Sequence, residues 1–437
     1  MDLCCSDTGY TAEWVQASLH PIPQDPPTST FMHIAHFTNT YKPNINGVVR
    51  SVSTFRDVLM RMGHQVFVFA QETRGYEDKE PFIFRYPGIE VPRYDYSFTV
   101  PVNPFIDWVL PVLKPDVIHS NHPIVLGQVA AEKAEKHNIP LVFTFHTRFT
   151  QYSYILPFSQ VFVQGMMVDL LARYMERCQH IITPSDNIRQ MLAVYGGVFE
   201  RVTTIPTGIN LAPYQDADGT AIRRKYGLEL KRVLVTNGRL SMEKNWKTLL
   251  AAAAVVFSKH DDVRLLMIGD GPLRHELESY MQELGIRERV IITGLVPFDE
   301  IPAHLKAGDV YCFASVSETQ GLVTMEAMAA GLPIVAVRAT GSRDVVEEGV
   351  QGLLTQNDSN ALARAILHLL DDSTLRARLR SAAVEKARSF DSRIQAEKML
   401  AVYDQAIEDR RLGRYVKIDR RLLKEKRRQF GRSLASG

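Results

Sequence analysis

Short runs of apolar and β-branched residues recur along the chain, and longer stretches with helical repeats of apolar positions separate them. In the first half the runs fall at 33–37, 66–70, 117–119, 141–145, 181–183 and 202–205, with helical stretches such as 49–62 and 124–137 between them. Alternation of this kind predicts a parallel sheet wrapped by helices. At 205–210 (IPTGIN) the pattern breaks on a Pro/Gly turn, which reads as an interdomain linker. A second alternating series follows at 233–236, 265–268, 290–292, 310–314 and 334–337. The expectation is therefore an α/β chain of two Rossmann-like parallel-sheet domains facing a central cleft, with ligands at the carboxyl ends of the strands. The boundaries that follow are 1–31 for a polar, proline-punctuated extension, disordered or misassigned, 32–205 for the first domain and 206–390 for the second. A helix covers 391–409 and a basic tail 410–437. Met32, just before the first convincing strand, is a rival to Met1 as the start of translation.

The stretch 315–333 (SVSETQGLVTMEAMAAGLP) concentrates the chemistry. It reads as a strand end, a tight polar loop, a helix opening near Leu322 and a stop at Gly331-Leu332-Pro333. Backbone N–H groups around Gly321 are open to a ligand because no Cβ stands in the way. The helix N-terminus adds partial positive charge suited to a phosphate or a sugar hydroxyl. Glu318 and Glu326 frame the loop, with Glu326 about one turn into the helix. After the first strand of the second half comes Asn237-Gly238-Arg239 with Lys244 five residues on, two cations placed just after a strand. Ile268-Gly269-Asp270-Gly271 follows the next strand as a short glycine turn. In the first half, Asn46-Gly47 ends a loop after the first strand and leads into a helix. His146 closes the run 141–145, at a strand's carboxyl end. His119 and His122 also follow a strand and line the same side.

The seven-residue gap between Glu318 and Glu326, the Gln320-Gly321-Leu322 turn and the small-residue helix ending in Ala-Gly-Leu-Pro-Ile-Val resemble the E-x7-E signature of retaining family 4 glycosyltransferases, which have the GT-B fold. Gly238-Arg239 with Lys244 is similar to that family's G-R-x(4)-K segment. The resemblance spans nearly all of residues 32–405. It implies that Arg239 and Lys244 hold the diphosphate, Glu326 the ribose, and Glu318 with the amides of Gln320, Gly321 and Leu322 the sugar. It also implies that Gly269 lies near the base, that His146 touches the donor sugar, and that the final helix crosses back to the first domain. Many members carry two glycines where this chain has Asn46-Gly47, so the backbone contact is implied at Gly47 and left open at Asn46. The loop wording is most similar to members that glycosylate diacylglycerol, of glucosyl or sulfoquinovosyl type. The reaction implied is transfer from a nucleoside diphosphate sugar, UDP-linked by preference, to a hydroxyl with retained configuration. A soluble sugar or polysaccharide acceptor, or a nucleotide-sugar epimerase of the same fold, remains open.

Composition sharpens the partner list. With 45% apolar and 23% charged residues, 437 residues build ordinary globular domains. No apolar run approaches the roughly 20 residues that span a bilayer, and residues 1–31 lack a signal-peptide pattern. Cys4, Cys5, Cys178 and Cys312 show neither metal spacing nor a disulfide framework, which suits a reducing cytoplasm. No cofactor or metal is called for: Asp261-Asp262 and Asp371-Asp372 read as solvated turns. The net charge of +2 hides an asymmetry. Residues 410–432 hold eleven Lys or Arg against Asp419 and Glu425, leaving 40 basic against 47 acidic residues elsewhere. That tail suits an anionic membrane surface, at about 1 kcal/mol per basic residue near the bilayer; without a recognition motif it gives no case for nucleic acid. The stretch 152–167, rich in aromatic and flexible apolar groups, reads either as core or as an acceptor-side surface that admits lipid.

Overall fold

The computed structural model describes residues 31–44, 46–90, 97–146, 160–198, 200–318 and 320–423. Within them the two expected sheets are present, in two lobes. The first sheet is built from β1 (His33–Thr38), β2 (Gln65–Gln71), β3 (Ile83–Tyr86), β6 (Val117–Ser120), β7 (Leu141–Thr144), β8 (His180–Thr183) and β9 (Val202–Thr204). Its order is β3-β2-β1-β6-β7-β8-β9 and its pairings are parallel. A short antiparallel hairpin, β4 (Gly88–Glu90) with β5 (Ser97–Thr99), stands beside it. The second sheet takes β10 (Arg232–Asn237), β11 (Val263–Ile268), β12 (Val290–Ile292), β13 (Val310–Phe313), β14 (Ile334–Val337) and β15 (Gly352–Thr355) in the order β12-β11-β10-β13-β14-β15. Strands such as Leu141–Thr144 and Ile334–Val337 are buried at every position, as parallel strands covered on both faces must be. In both sheets the order switches direction beside the first strand, at β1/β6 and β10/β13. A crevice opens outside the carboxyl ends at such a point.

Five helices position the site: α1 (Gly47–Arg61), α2 (Asp186–Gly196), α3 (Leu322–Ala329), α4 (Thr340–Val345) and α5 (Ser392–Arg411). The start of α1 is set by Asn46, whose side-chain oxygen accepts from the amides of Val48 and Val49, both at 3.0 Å. Such a cap contributes about 1 kcal/mol. Val52, Phe55, Val58 and Leu59 then form one buried stripe. Against Phe55, Val58 and Leu59 pack Ala396, Met399, Leu400 and Tyr403 of α5, so the last long helix lies on the first lobe.

The chain passes between the lobes twice, and the two passages run side by side. The Ile209 amide donates to the Phe390 carbonyl at 2.8 Å and the Ser392 amide to the Ile209 carbonyl at 2.9 Å. Nearby, the Gln320 side-chain amide donates to the Thr207 carbonyl at 3.3 Å. Asn187 of α2 donates to Asp344 of α4, and burial raises the Asp344 pKa above the ordinary carboxylate range.

The basic tail departs from a simple solvated strand of charge. Beyond α5 the chain folds under the first lobe: the Val416 amide donates to Cys178, and Asp419 to Gly197. Arg411 pairs with Glu408, Arg414 with Asp409 and Arg420 with Glu176, while Arg410 donates to Asn138. Of the six basic residues between 410 and 423, Lys417 and Arg421 are the two left outside these contacts. The rest of the tail lies outside the described residues, as do 1–30 and the first half, 152–159, of the acceptor-side stretch. From that stretch, 160–167 opens the helix Gln160–Met175.

Candidate active site

The second lobe brings four elements to one place. Lys244 ends the single turn Met242–Lys244 that follows β10, and its ammonium is ion-paired with Glu318 in the loop after β13. Both side chains are about one-sixth exposed, and the Phe313 ring lies 5.7 Å from the ammonium. Gly321, with φ of +73°, caps α3; a Cβ there would lie 2.9 Å from the Gly341 carbonyl, so glycine is required on both counts. Gly321, at the N-cap, has no side chain to offer the first amides of the helix. Thr319 lies outside the described residues. Gln320 contributes its position in the loop, since its side chain is engaged with Thr207. Leu322, the first helical residue, is partly buried against the lobe's apolar core.

Glu326 sits one turn into α3 and is 1% exposed. A carboxylate so buried needs partners, and it has three. Asn237, the last residue of β10, donates to Oε2 at 3.1 Å and is itself held by the Tyr311 hydroxyl at 2.8 Å. Tyr214 hydrogen-bonds to Glu326 as well; burial and then that carboxylate raise its pKa. The third partner comes from the other lobe. Arg50, on the first turn of α1, is ion-paired with Oε1, and its guanidinium lies 4.9 Å over the Phe298 ring. Burial works against the Arg50 charge, yet the Glu326 carboxylate, with Glu318 further off, raises its pKa. The loop before α3 thus carries one ion pair, Lys244 with Glu318, and α3 itself another, Glu326 with Arg50, with Glu318 acting on Arg50 through space. Arg239, by contrast, is exposed on the loop after β10, and its guanidinium has no partner among the described residues.

The glycine turn has a packing reason of its own. Gly269 adopts φ of +139°, and a Cβ there would fall 2.2 Å from the Gly238 carbonyl, so the loops after β10 and β11 touch through bare backbone. Asn46 and Gly47 are exposed at the head of α1. Asn46 spends its side chain on the cap and on Thr40, which explains an asparagine where a second glycine is usual.

Apart from Arg50, the groups that the first lobe presents at the ends of β1, β6 and β7 are neutral. The His146 Nε2–H donates to Asn121 Oδ1 at 2.9 Å. Asn121 reaches His36 Nδ1 at 3.3 Å, and the His36 and His119 rings lie 4.6 Å apart. His119 is fixed at both nitrogens, by Tyr403 of α5 at 2.7 Å and by Thr144 at 2.6 Å. His122 Nδ1 accepts from the Asn39 amide at 3.1 Å. Burial lowers the pKa of His36 and His146 to about 3 and of His122 to about 4, and holds His119 well below its ordinary value. All four are neutral at pH 7. His146 therefore belongs to a histidine pocket at the ends of β1, β6 and β7, and its hydrogen bond goes to Asn121 rather than to the charged group opposite.

Arg50, Asn237, Tyr214 and Asn121 are site residues that the sequence motifs missed. Asn237 and Asn121 had a signal, since each is a polar residue closing an apolar strand. Arg50 had none, because its partner is 276 residues away. The paired aspartates are more than solvated turns: Asp262 pairs with Arg232, Asp371 with His260, and Asp372 caps the helix Ser373–Arg388. Among the described residues no cluster of three His, Cys, Asp or Glu is placed to hold a metal, and no helix is long and apolar enough to cross a membrane.

Comparison with known proteins bears on the family and the fold. Residues 218–386 match the family model "Glycosyl transferases group 1" and residues 45–213 match "Glycosyltransferase Family 4". An alpha-monoglucosyldiacylglycerol synthase of Streptococcus pneumoniae is 31% identical over 351 residues, 78% of either chain. One from Acholeplasma laidlawii is 27% identical over 392 residues, 85% of this chain and 96% of that one. Among solved structures, Anabaena HepE in complex with UDP and glucose superposes with a TM-score of 0.69 at 22% identity, covering 85% of this chain and 99% of that one. That likeness concerns the fold.

Proposed function

The chain belongs to the family 4 glycosyltransferases and is a hexosyltransferase of GT-B fold, and from that premise we propose that it moves a hexose from a UDP-sugar to a hydroxyl of a diacylglycerol-type lipid, with retained configuration. The observation that carries the donor side is the placement of Lys244, Glu318, Glu326 and the glycine-capped head of α3 around one crevice. Lys244 and Arg239 take the diphosphate, where charge gathers as the sugar bond breaks. Glu326 takes the ribose hydroxyls. Glu318 and the amides of Gln320, Gly321 and Leu322 take sugar hydroxyls. Gly269 stands beside the base. Gly47, His146 and the neutral histidine pocket face the sugar and the incoming hydroxyl.

Support for a lipid acceptor comes from the two relatives named alpha-monoglucosyldiacylglycerol synthases, which this chain matches along most of its length. A peripheral seat on the cytoplasmic membrane face follows from the same reading. The tail charge still available for it is Lys417 and Arg421 together with the basic residues between 424 and 432.

The test offers UDP-glucose, UDP-galactose, UDP-sulfoquinovose and GDP-mannose, each with total lipid extract and with a soluble sugar mixture, and identifies products by mass. A diacylglycerol gaining one hexose from a UDP-linked donor is the expected result. Product confined to the soluble mixture replaces the lipid with a soluble acceptor. A donor epimerised with no acceptor present makes the protein an isomerase.

A further inference from the structure

Glu326 poses a problem for any donor that uses it. The carboxylate is fully buried, Oε2 is held by Asn237 of its own lobe, and Oε1 is held by Arg50 of the other. With Asn237, Tyr214 and Arg50 already on three of the carboxylate's roughly four acceptor positions, a ribose diol that donates twice must displace one of them, and Arg50 is the one held by the other lobe. A diol is neutral, so that displacement alone would leave Arg50 without a counter-charge in a partly buried site, where breaking an ion pair is strongly unfavourable. The arrangement becomes favourable only if the ligand that takes Glu326 also brings negative charge for Arg50.

Arg50 is placed for such a trade. Its side chain is about a quarter exposed, and Phe298 supports one face of the guanidinium. Glu318, the partner of Lys244, acts on it electrostatically, and Glu318 and Glu326 lie eight positions apart on the loop and first turn of α3. A guanidinium fork also matches phosphate oxygens two at a time, as it matches a carboxylate.

Resting on the donor reading above, we infer that Arg50 is an exchangeable latch: it ties the acceptor lobe to Glu326 when the cleft is empty, and passes to the diphosphate when the ribose takes Glu326. Three consequences follow. Lobe contact and donor occupancy are coupled through one side chain. The leaving diphosphate receives a third cation, supplied by the lobe opposite Arg239 and Lys244. The site discriminates strongly between a nucleoside diphosphate and the bare nucleoside, because only the former compensates Arg50.

The experiment measures uridine and UDP binding by calorimetry to the full chain and to Arg50→Met, with guanosine and GDP run in parallel. Removing the latch frees Glu326 for the nucleoside and removes one phosphate contact. Uridine is expected to bind several-fold tighter to Arg50→Met, and the ratio of uridine to UDP dissociation constants to fall by about tenfold, equivalent to about 1.4 kcal/mol. If Arg50→Met strands the Glu326 carboxylate and does not fold, Arg50→Gln keeps a donor on Oε1 without charge and is expected to lower the ratio likewise. An unchanged ratio, or weaker uridine binding, overturns the exchange while leaving the donor reading intact. A wild-type chain that binds neither UDP nor GDP overturns both.

Discussion

The two walls of the cleft keep polar groups out of water in opposite ways. The second lobe uses charges in pairs, Lys244 with Glu318 and Glu326 with Arg50, the last contributed across the cleft by α1 of the first lobe. The first uses neutral rings linked by hydrogen bonds, His146 through Asn121 to His36, and His119 between Thr144 and Tyr403. A paired charge can be redirected to a charged ligand at little net cost, because one ion pair replaces another. A neutral, hydrogen-bonded histidine cannot compensate a full charge, but it can orient a hydroxyl without attracting ions. The division matches the chemistry proposed for each side: phosphate leaves toward the second lobe, and the sugar and acceptor hydroxyls meet the first.

The largest test of this contrast is pH. His36, His122 and His146 have folded pKa values of about 3, 4 and 3, against an ordinary 6.5 in the unfolded chain, and His119 is lowered too. The unfolded chain therefore binds protons first as pH falls. Stability from these groups is complete above about pH 6.5 and is lost on the way down toward pH 4, at about 1.4 kcal/mol per pH unit for each histidine that stays neutral. Hydrogen exchange at pH 5 and 7.5 checks the location. Amides of β1, β6 and β7 should lose protection more than those of β10, β13 and β14. Equal loss in both sheets would end the distinction between a neutral wall and a charged one.

How much of this was legible in the chain depends on the distance over which each residue acts. The strands and helices that carry motifs were readable, because a buried parallel strand is apolar at nearly every position and Pro/Gly turns end it. β3 and β15 were missed for local reasons: Arg85 interrupts β3 to reach Asp78, and Gly352 opens β15. The carboxylates and Lys244 were readable because spacing after a strand is local information. The cap made by Asn46 was visible as a residue type but taken for a departure from a glycine pair. Arg50 and the His119–Tyr403 bond were invisible, since each joins residues more than 270 positions apart and neither end differs from an ordinary helix or core residue.

On the charged wall, Lys244→Ala should lower turnover by about two orders of magnitude under saturating donor, the loss typical of one preorganised group at a developing charge. It also leaves Glu318 without its cation beside the diphosphate, so the substitution removes an attraction and exposes a repulsion. The check is the split between kcat and KM. If a lower affinity alone appears, with kcat near normal, Lys244 holds the ground state and the charged wall does not act on the leaving group.

On the neutral wall the corresponding change is Asn121→Ala, with a smaller effect. Asn121 is 3% exposed and joins His146 to His36, so its loss leaves a nitrogen of His146 without the hydrogen bond that fixes the ring. One such bond contributes about 1 kcal/mol, which corresponds to turnover lower by about five- to tenfold. UDP affinity should hold within about twofold of the wild type, because no group of the charged wall touches Asn121 and separated sites act independently. Measuring turnover and UDP affinity on the same preparation decides the point. If UDP binding falls along with turnover, the walls are not independent, and the histidine pocket is part of how the donor side is held in place. If turnover is unmoved, the pocket is packing beneath the cleft, and His146 needs no fixed orientation for the reaction.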